Sequence, residues 1–338
     1  MLRFACPVCA REVFFDDRRC RNCGTELVFD RGTAEFVPAE GRIRCANAEV
    51  IGCTWQAHRE GWRCTACLIT RHHPTTGSAE ATANWAAAER AKRHVVVELD
   101  RLGLRLEARD EVAGTGLAID MEWSPDGSVT IGHEDGVITL DAGEADDARR
   151  ERLRTRLSEP YRTMLGHLRH EIGHYWWPLL ADERAGEAGR LAEVRQVFGD
   201  ERADYQAAID RHYAQGPPSG WRTEFVSAYA TMHPWEDWAE TFAHYLHIRD
   251  TLDTACRFGL SVGVPLLGVA EPVAAGILAD ARDVGVAVLF REWGALTVAV
   301  NALNRSMDQP DLYPFALTKA VKAKLSLVHD LVVAGPVG

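Results

Sequence analysis

His170-Glu171-Ile172-Gly173-His174 places two imidazoles four residues apart with a carboxylate between them. On an α-helix, residues at that spacing lie one above the other on one face, so both rings can converge on one metal ion while Glu171 flanks it without ligating. A zinc ion held by three protein ligands keeps its fourth position for water and lowers the pKa of that water towards about 7. A neighbouring carboxylate can then take the proton as the water attacks a carbonyl. The chemistry expected is hydrolysis, with His170 and His174 as ligands and Glu171 as general base. The same five residues also fit a charged helix face carrying two surface histidines.

The flanking residues favour the metal site. Tyr161, Met164, Leu165, Leu168, Ile172 and Trp176 recur at three- and four-residue intervals, the stripe of a helix packed on a core, and Glu159-Pro160 suits its start. His167, His170, Glu171 and His174 form a second, polar stripe beside it, as on a helix lining a cleft. His167 itself could contact substrate or stand behind the ligands, but a histidine simply bonded to a nearby carboxylate or carbonyl is the more common case.

Two histidines do not complete a catalytic zinc site, so another segment must add a ligand. The segment from Glu236 to His247 offers Glu236 and Glu240 on one face of a helix, with Trp238, Phe242, Tyr245 and Leu246 as its apolar stripe and Pro234 suiting its beginning. One carboxylate can ligate while the other accepts the free ring N–H of a ligating histidine, fixing its tautomer. His244 and His247 are weaker candidates. Without the upstream motif, the acidic first turn would merely complement the helix dipole.

Eight of the nine cysteines fall within the first 67 residues. Cys6, Cys9, Cys20 and Cys23 form two Cys-x2-Cys pairs, and Cys45 and Cys53 precede a third pair, Cys64 and Cys67. Four thiolates in tetrahedral array close a structural zinc site, so two zinc ribbons are expected. Disulfides are the alternative. No apolar export segment precedes Cys6, which points to a reducing, cytoplasmic setting. Cys256, the leftover, is expected to be a small buried apolar residue.

The two motifs together, His-Glu-x-x-His followed by Glu-x-x-Ala-Glu-x-Phe-Ala, resemble the glutamate-zincin (gluzincin) metallopeptidases. The arrangement is similar to lethal-factor-like peptidases and to bacterial peptidases that cleave repressors. That resemblance implies that Glu236 is the third zinc ligand, with Glu240 behind it, and that Tyr229, seven residues before Glu236, donates to the tetrahedral oxyanion. The whole order also resembles a family named for zinc-binding metallopeptidases with an N-terminal zinc ribbon. That likeness rests on the paired ribbons, the stretch from Gly166 to Trp177, the stretch from Pro234 to His247, and a distal Asn304-Arg-Ser-Met-x4-Leu-Tyr-Pro-Phe.

At 338 residues, with 46% hydrophobic and 26% charged residues, the chain suits a small metal-stapled module plus one larger soluble domain. The apolar run from Gly259 to Leu278 is broken by Pro265, Glu271 and Pro272, a poor membrane span, so no membrane partner is expected. A net charge of −11 argues against a nucleic-acid partner, which wants a basic footprint. Residues 1–74 carry 11 Arg against 9 acidic residues, and two tetrathiolate zinc sites at −2 each would bring that +2 to about −2. Arg18, Arg19 and Arg21 form a local basic knuckle that suits a solvated turn better than a nucleic-acid contact.

The fold expected is α+β: a double zinc ribbon over residues 1–74, then a zincin-like, mostly helical metallopeptidase domain over residues 75–338 with a small antiparallel sheet. Helices are expected over 83–102, 145–157, 289–304 and 317–333. Strands are expected near 117–123, 129–133 and 136–140, bounded by Asp126-Gly and Asp135-Gly turns. Residues 182–233 suit a polar helical excursion with a loop at Gly216-Pro-Pro-Ser-Gly. The function expected is zinc-dependent hydrolysis of a peptide or protein substrate, with one catalytic and two structural Zn2+ and a possible protein partner at the ribbons. Two other functions fit the same residues: a non-catalytic ribbon interaction module whose third zinc is structural, and a ribbon-directed, nucleic-acid-associated protease.

Overall fold

Five aromatic rings organise the N-terminal segment. In the computed structural model, which describes residues 3–74, 77–125, 129–146, 163–181, 188–262, 273–274 and 284–336, strands β1 (Phe4–Ala5) and β2 (Glu12–Val13) pair antiparallel, as do β3 (Leu27–Asp30) and β4 (Glu35–Pro38). Phe29 packs on Phe15 and Trp55, with centroids 5.1 Å away in each case, and Phe36 packs on Phe4 at 5.2 Å. These rings are buried. So few residues cannot build a large core, and the aromatic area is concentrated in one cluster. Short helices α1 (Ala48–Ile51) and α2 (Thr65–Leu68) follow, the second capped by the Cys64 side chain, which accepts from the Cys67 amide.

Strand β5 (Thr70–His72), helix α3 (Ala79–Arg101) and strands β6 (Ala118–Glu122), β7 (Gly132–Glu134) and β8 (Val137–Asp141) come next. Helix α3 starts four residues before the expected point because Ser78 Oγ accepts the Ala81 amide, an N-cap that the alanine-rich pattern obscures. The sheet order is β5-β6-β8-β7. This corrects the expected antiparallel sheet: β5 with β6 and β6 with β8 are parallel, and β7 with β8 alone is antiparallel. A parallel pair needs a crossover. Helix α3 supplies one between β5 and β6, while β7 lies at the far edge and a turn at Asp135-Gly136 sends β8 back beside β6. Both turn residues have positive φ, 46° and 75°, as a two-residue hairpin loop demands. The expected Asp126-Gly turn, the 145–157 helix beyond Asp146, and Glu159, Pro160 and Tyr161 lie outside the described residues.

The remaining elements are helical: α4 (Met164–Leu180), α5 (Ala188–Phe198), α6 (Tyr205–Gln215), α7 (Pro234–Arg257), α8 (Val286–Ser306) and α9 (Lys319–Ala334). The chain divides into two compact units, residues 1–101 with 105–171, and 102–104 with 172–338. In the second unit α7 is central: from Glu236 to Arg249 every residue but Glu240 is buried, the signature of a helix packed on most of its circumference. Pro234 stands at its first turn, where a missing N–H costs nothing. Lys324 of α9 reaches Asp237 at 2.6 Å, and Tyr245 Oη meets His329 Nδ1 at 3.1 Å. The distal Leu-Tyr-Pro-Phe stretch also lands on α7, with Tyr313 Oη 2.7 Å from His244 Nδ1 and its backbone held by the Asn301 side-chain amide. Helix α8 is, by length and composition only, apolar enough to cross a membrane.

Candidate metal centres

Helix α4 puts His170 and His174 one turn apart on a single continuous helix, as their spacing requires. Helix α7 brings Glu236, and one ligand atom from each of the three lies within 4.8 Å of the others. His174 Nε2 and Glu236 Oε2 are 3.5 Å apart. Donors about 2 Å from one tetrahedral ion stand roughly 3.3–3.5 Å apart, so this pair already has ligand spacing. All are buried, with 9%, 4% and 2% exposure for His170, His174 and Glu236, so the carboxylate does not belong to a solvated helix end. Buried charges are paired or coordinate metals.

Glu171 is buried too, and its Oε2 has no hydrogen-bond partner. A desolvated carboxylate oxygen without a donor is costly unless something bearing a proton comes to it. Two imidazoles, a carboxylate at ligand spacing and an adjacent unsatisfied carboxylate oxygen fit a zinc ion with a water.

The surroundings fix these side chains. The Trp235 indole stacks on the His174 ring, centroids 5.0 Å apart and planes 12° from parallel. Trp238 Nε1 donates to the Gly173 carbonyl at 2.9 Å, tying α7 to α4 between the two motifs. Tyr205 Oη donates to Glu236 Oε1 at 2.8 Å. Neither Trp235 nor Tyr205 was singled out by spacing. Tyr205 lies 31 residues before its partner with only a helix-start signal at Asp204.

The other expected site residues are placed as follows. His167 Nδ1 is 2.5 Å from Glu144 Oε2. Glu240 lies one turn beyond Glu236, partly exposed. Tyr229 sits on a short 3-10 turn before α7 with its ring 6.0 Å from His212. His244 and His247 are buried further along α7 and are not among the three converging ligands.

Each cysteine quartet converges as expected. In the first, Cys6 and Cys23 sulfurs are 3.6 Å apart, as are those of Cys9 and Cys20. In the second, Cys53 lies 3.7 Å from both Cys64 and Cys67. Sulfurs about 2.3 Å from one tetrahedral ion stand roughly 3.7–3.8 Å apart, whereas a disulfide needs about 2.05 Å. None of the nine cysteines is in a disulfide, and Cys256, expected to be buried, is half-buried in the last turn of α7. The Thr25 hydroxyl and backbone hold the Cys23 thiol down to about 6, in the thiolate range at neutral pH.

The second quartet has a charge environment that the ribbon segment does not foreshadow. Cys45, Cys53, Cys64 and Cys67 are buried, and α3 sends the fully buried Lys92 and Arg93 beside them. Lys92 Nζ pairs with Glu89 at 2.9 Å. Arg93 Nε and Nη1 have no hydrogen-bond partner. Burial would lower the Arg93 pKa, and the negative charge of Cys53, Cys67 and Glu89 more than offsets that, so it is raised. A buried guanidinium next to four thiol groups favours their ionised form. At the first ribbon, Arg18 pairs with Glu49, and Arg19 and Arg44 both pair with Glu26.

Residues 81–331 match the protein family described as "Putative zinc-binding metallo-peptidase". An uncharacterized protein of Mycobacterium bovis and another of Mycobacterium tuberculosis are each 42% identical to this chain over 343 residues, spanning 98% of it and 95% of the relative. No solved structure matches. The chain belongs to that family.

Proposed function

We propose that the chain is a gluzincin-type zinc peptidase acting on a peptide or protein substrate. The observation that carries this is the convergence of His170, His174 and Glu236 beside the buried, unsatisfied Glu171 Oε2. Bound zinc supplies Lewis acidity towards water and carbonyl oxygen. Glu171 takes the proton of the attacking water and passes it to the leaving amine nitrogen. Glu240 orients a ligating histidine, His167 with Glu144 steadies the first half of α4, and Tyr229 donates to the developing oxyanion. In this assignment residues 75–338 form the zincin-like peptidase domain, and residues 1–74 hold two structural zinc ions and can present a partner surface. Cysteines that hold metal without forming disulfides suit a reducing, cytoplasmic setting.

A module with a purely structural third zinc would need a fourth protein ligand, and among the described residues three converge. Glu171→Gln decides between them. The variant should keep its zinc and lose cleavage of a proteome-derived peptide library, because the amide preserves shape but cannot accept the proton. Wild-type cleavage by Glu171→Gln would remove the general-base role and the peptidase with it.

A further inference from the structure

The two oxygens of Glu236 have different partners. Oε2 lies 3.5 Å from His174 Nε2, while Oε1 accepts the Tyr205 hydroxyl at 2.8 Å. Glu236 is 2% exposed, so bulk water does not supply this bond. Tyr205 is 41% exposed, and its phenol therefore runs from the surface to a buried carboxylate.

The tyrosine is held from two sides. It is the first residue of α6, whose Asp204 cap accepts the Ala207 amide at 3.0 Å. Its ring lies edge-on to His233, centroids 5.1 Å apart. His233 is the N-cap of α7: its Nδ1 accepts the Trp235 amide at 3.1 Å, which leaves the proton on Nε2 to be donated to the Ala203 carbonyl at 3.0 Å. One imidazole thus joins the start of α6 to the start of α7, and fixes the phenol relative to a carboxylate three residues on. Glu236, in the first turn of α7, is also favoured as an anion by the helix dipole.

We infer that Tyr205 is a positioning residue of the metal centre: its hydroxyl occupies Oε1 of Glu236 and so leaves Oε2 alone to ligate. This rests on His170, His174 and Glu236 holding zinc. A carboxylate with one oxygen engaged presents one fixed lone-pair direction, whereas a carboxylate lacking that bond can rotate or ligate through both oxygens. Hydrogen-bond partners of ligands commonly carry 10–100-fold of metal affinity.

The test is zinc competition against a chromogenic chelator on the full chain, comparing wild type, Tyr205→Phe and His174→Ala. Tyr205→Phe keeps every carbon contact with His233 and removes only the hydroxyl. It should weaken one zinc per chain by about 10–100-fold, leave the cysteine-bound zinc unchanged and leave the unfolding temperature within a degree or so. Cobalt substituted at that site should also change its visible absorption, which simple loss of packing would not cause. Unchanged affinity and spectrum in Tyr205→Phe overturn the role of Tyr205 while leaving the metal centre intact. Equal zinc content in wild type and His174→Ala overturns both. Failure of Tyr205→Phe to fold overturns the inference as well, since it would show that the hydroxyl holds the fold together instead of tuning the ligand.

Discussion

Gly173 lies so close to Ala239 that even a methyl group between them would be tight. A Cβ on Gly173 would stand 3.1 Å from Ala239 Cα, 3.3 Å from its carbonyl oxygen and 3.3 Å from Phe242 Cβ. Helices α4 and α7 thus meet backbone to backbone, one residue from His174 and three from Glu236, and this close approach brings the histidine of one helix within 3.5 Å of the glutamate of the other. Gly173→Ala gains up to about 1 kcal/mol of helix propensity and loses about 1–3 kcal/mol to overpacking. We expect net destabilisation, and a larger loss for Gly173→Leu, with zinc affinity falling in parallel. Denaturant melts and chelator competition on the two variants check it; Gly173→Leu with wild-type stability would show that the contact is not tight.

The chain should carry three zinc ions of two kinds. Elemental analysis should give three per chain, two after His174→Ala, and two after Cys64→Ser with local unfolding of the second ribbon, since metal binding supplies most of the folding free energy of such small modules. A metal-replete preparation holding a single zinc would overturn the assignment.

The acidic residues of α7 should rank in a definite order. Glu236→Ala should lose the metal of the histidine site outright, whereas Glu240→Ala should weaken affinity by about 10–100-fold. Metal titration of both variants decides it. The reverse order would mean that the ligand register is displaced by one helical turn.

The Asp237–Lys324 pair should matter for stability. Burial pushes the Asp237 carboxyl up to about 7, against the pull of Lys324 Nζ at 2.6 Å. Lys324→Met removes the counter-charge, so the carboxyl takes up a proton and is left with an unpaired polar group, at a cost of about 1–3 kcal/mol, much of it recovered in the double variant with Asp237→Asn. Urea unfolding of the four proteins gives the coupling. Additive losses would show that the pair contributes nothing as a pair.

His329 should make α9 sensitive to mild acid. Burial first, and then the Arg249 charge, lower its pKa below 6.5. The unfolded chain therefore takes up the proton before the folded one does. The contribution of neutral His329 is fully present above the unfolded value and is lost as pH falls through 6.5 towards the lower folded value. Wild-type stability should decline over that interval more steeply than that of His329→Gln. Parallel curves would exclude the histidine as the cause.

What the sequence by itself determined was short-range geometry. Two histidines at helical spacing share a face wherever the helix goes, a Cys-x2-Cys turn presents two thiolates to one ion, and a proline two residues before Glu236 marks a helix start, because each depends on residues within a turn of one another. That Glu236 and not Glu240 would be the third ligand was implied only by a resemblance, since no local spacing ranks one above the other. Tertiary structure decided the rest. Whether β6 runs parallel to β8 depends on where the chain crosses after β7, and a strand's own alternation is the same either way. That Arg93 of α3 lies beside Cys53 and Cys67, and that Tyr205 meets Glu236, depends on the path of the chain between them. A phenol bonds whichever buried carboxylate the fold carries to it, and no pattern in the intervening residues records which one that is.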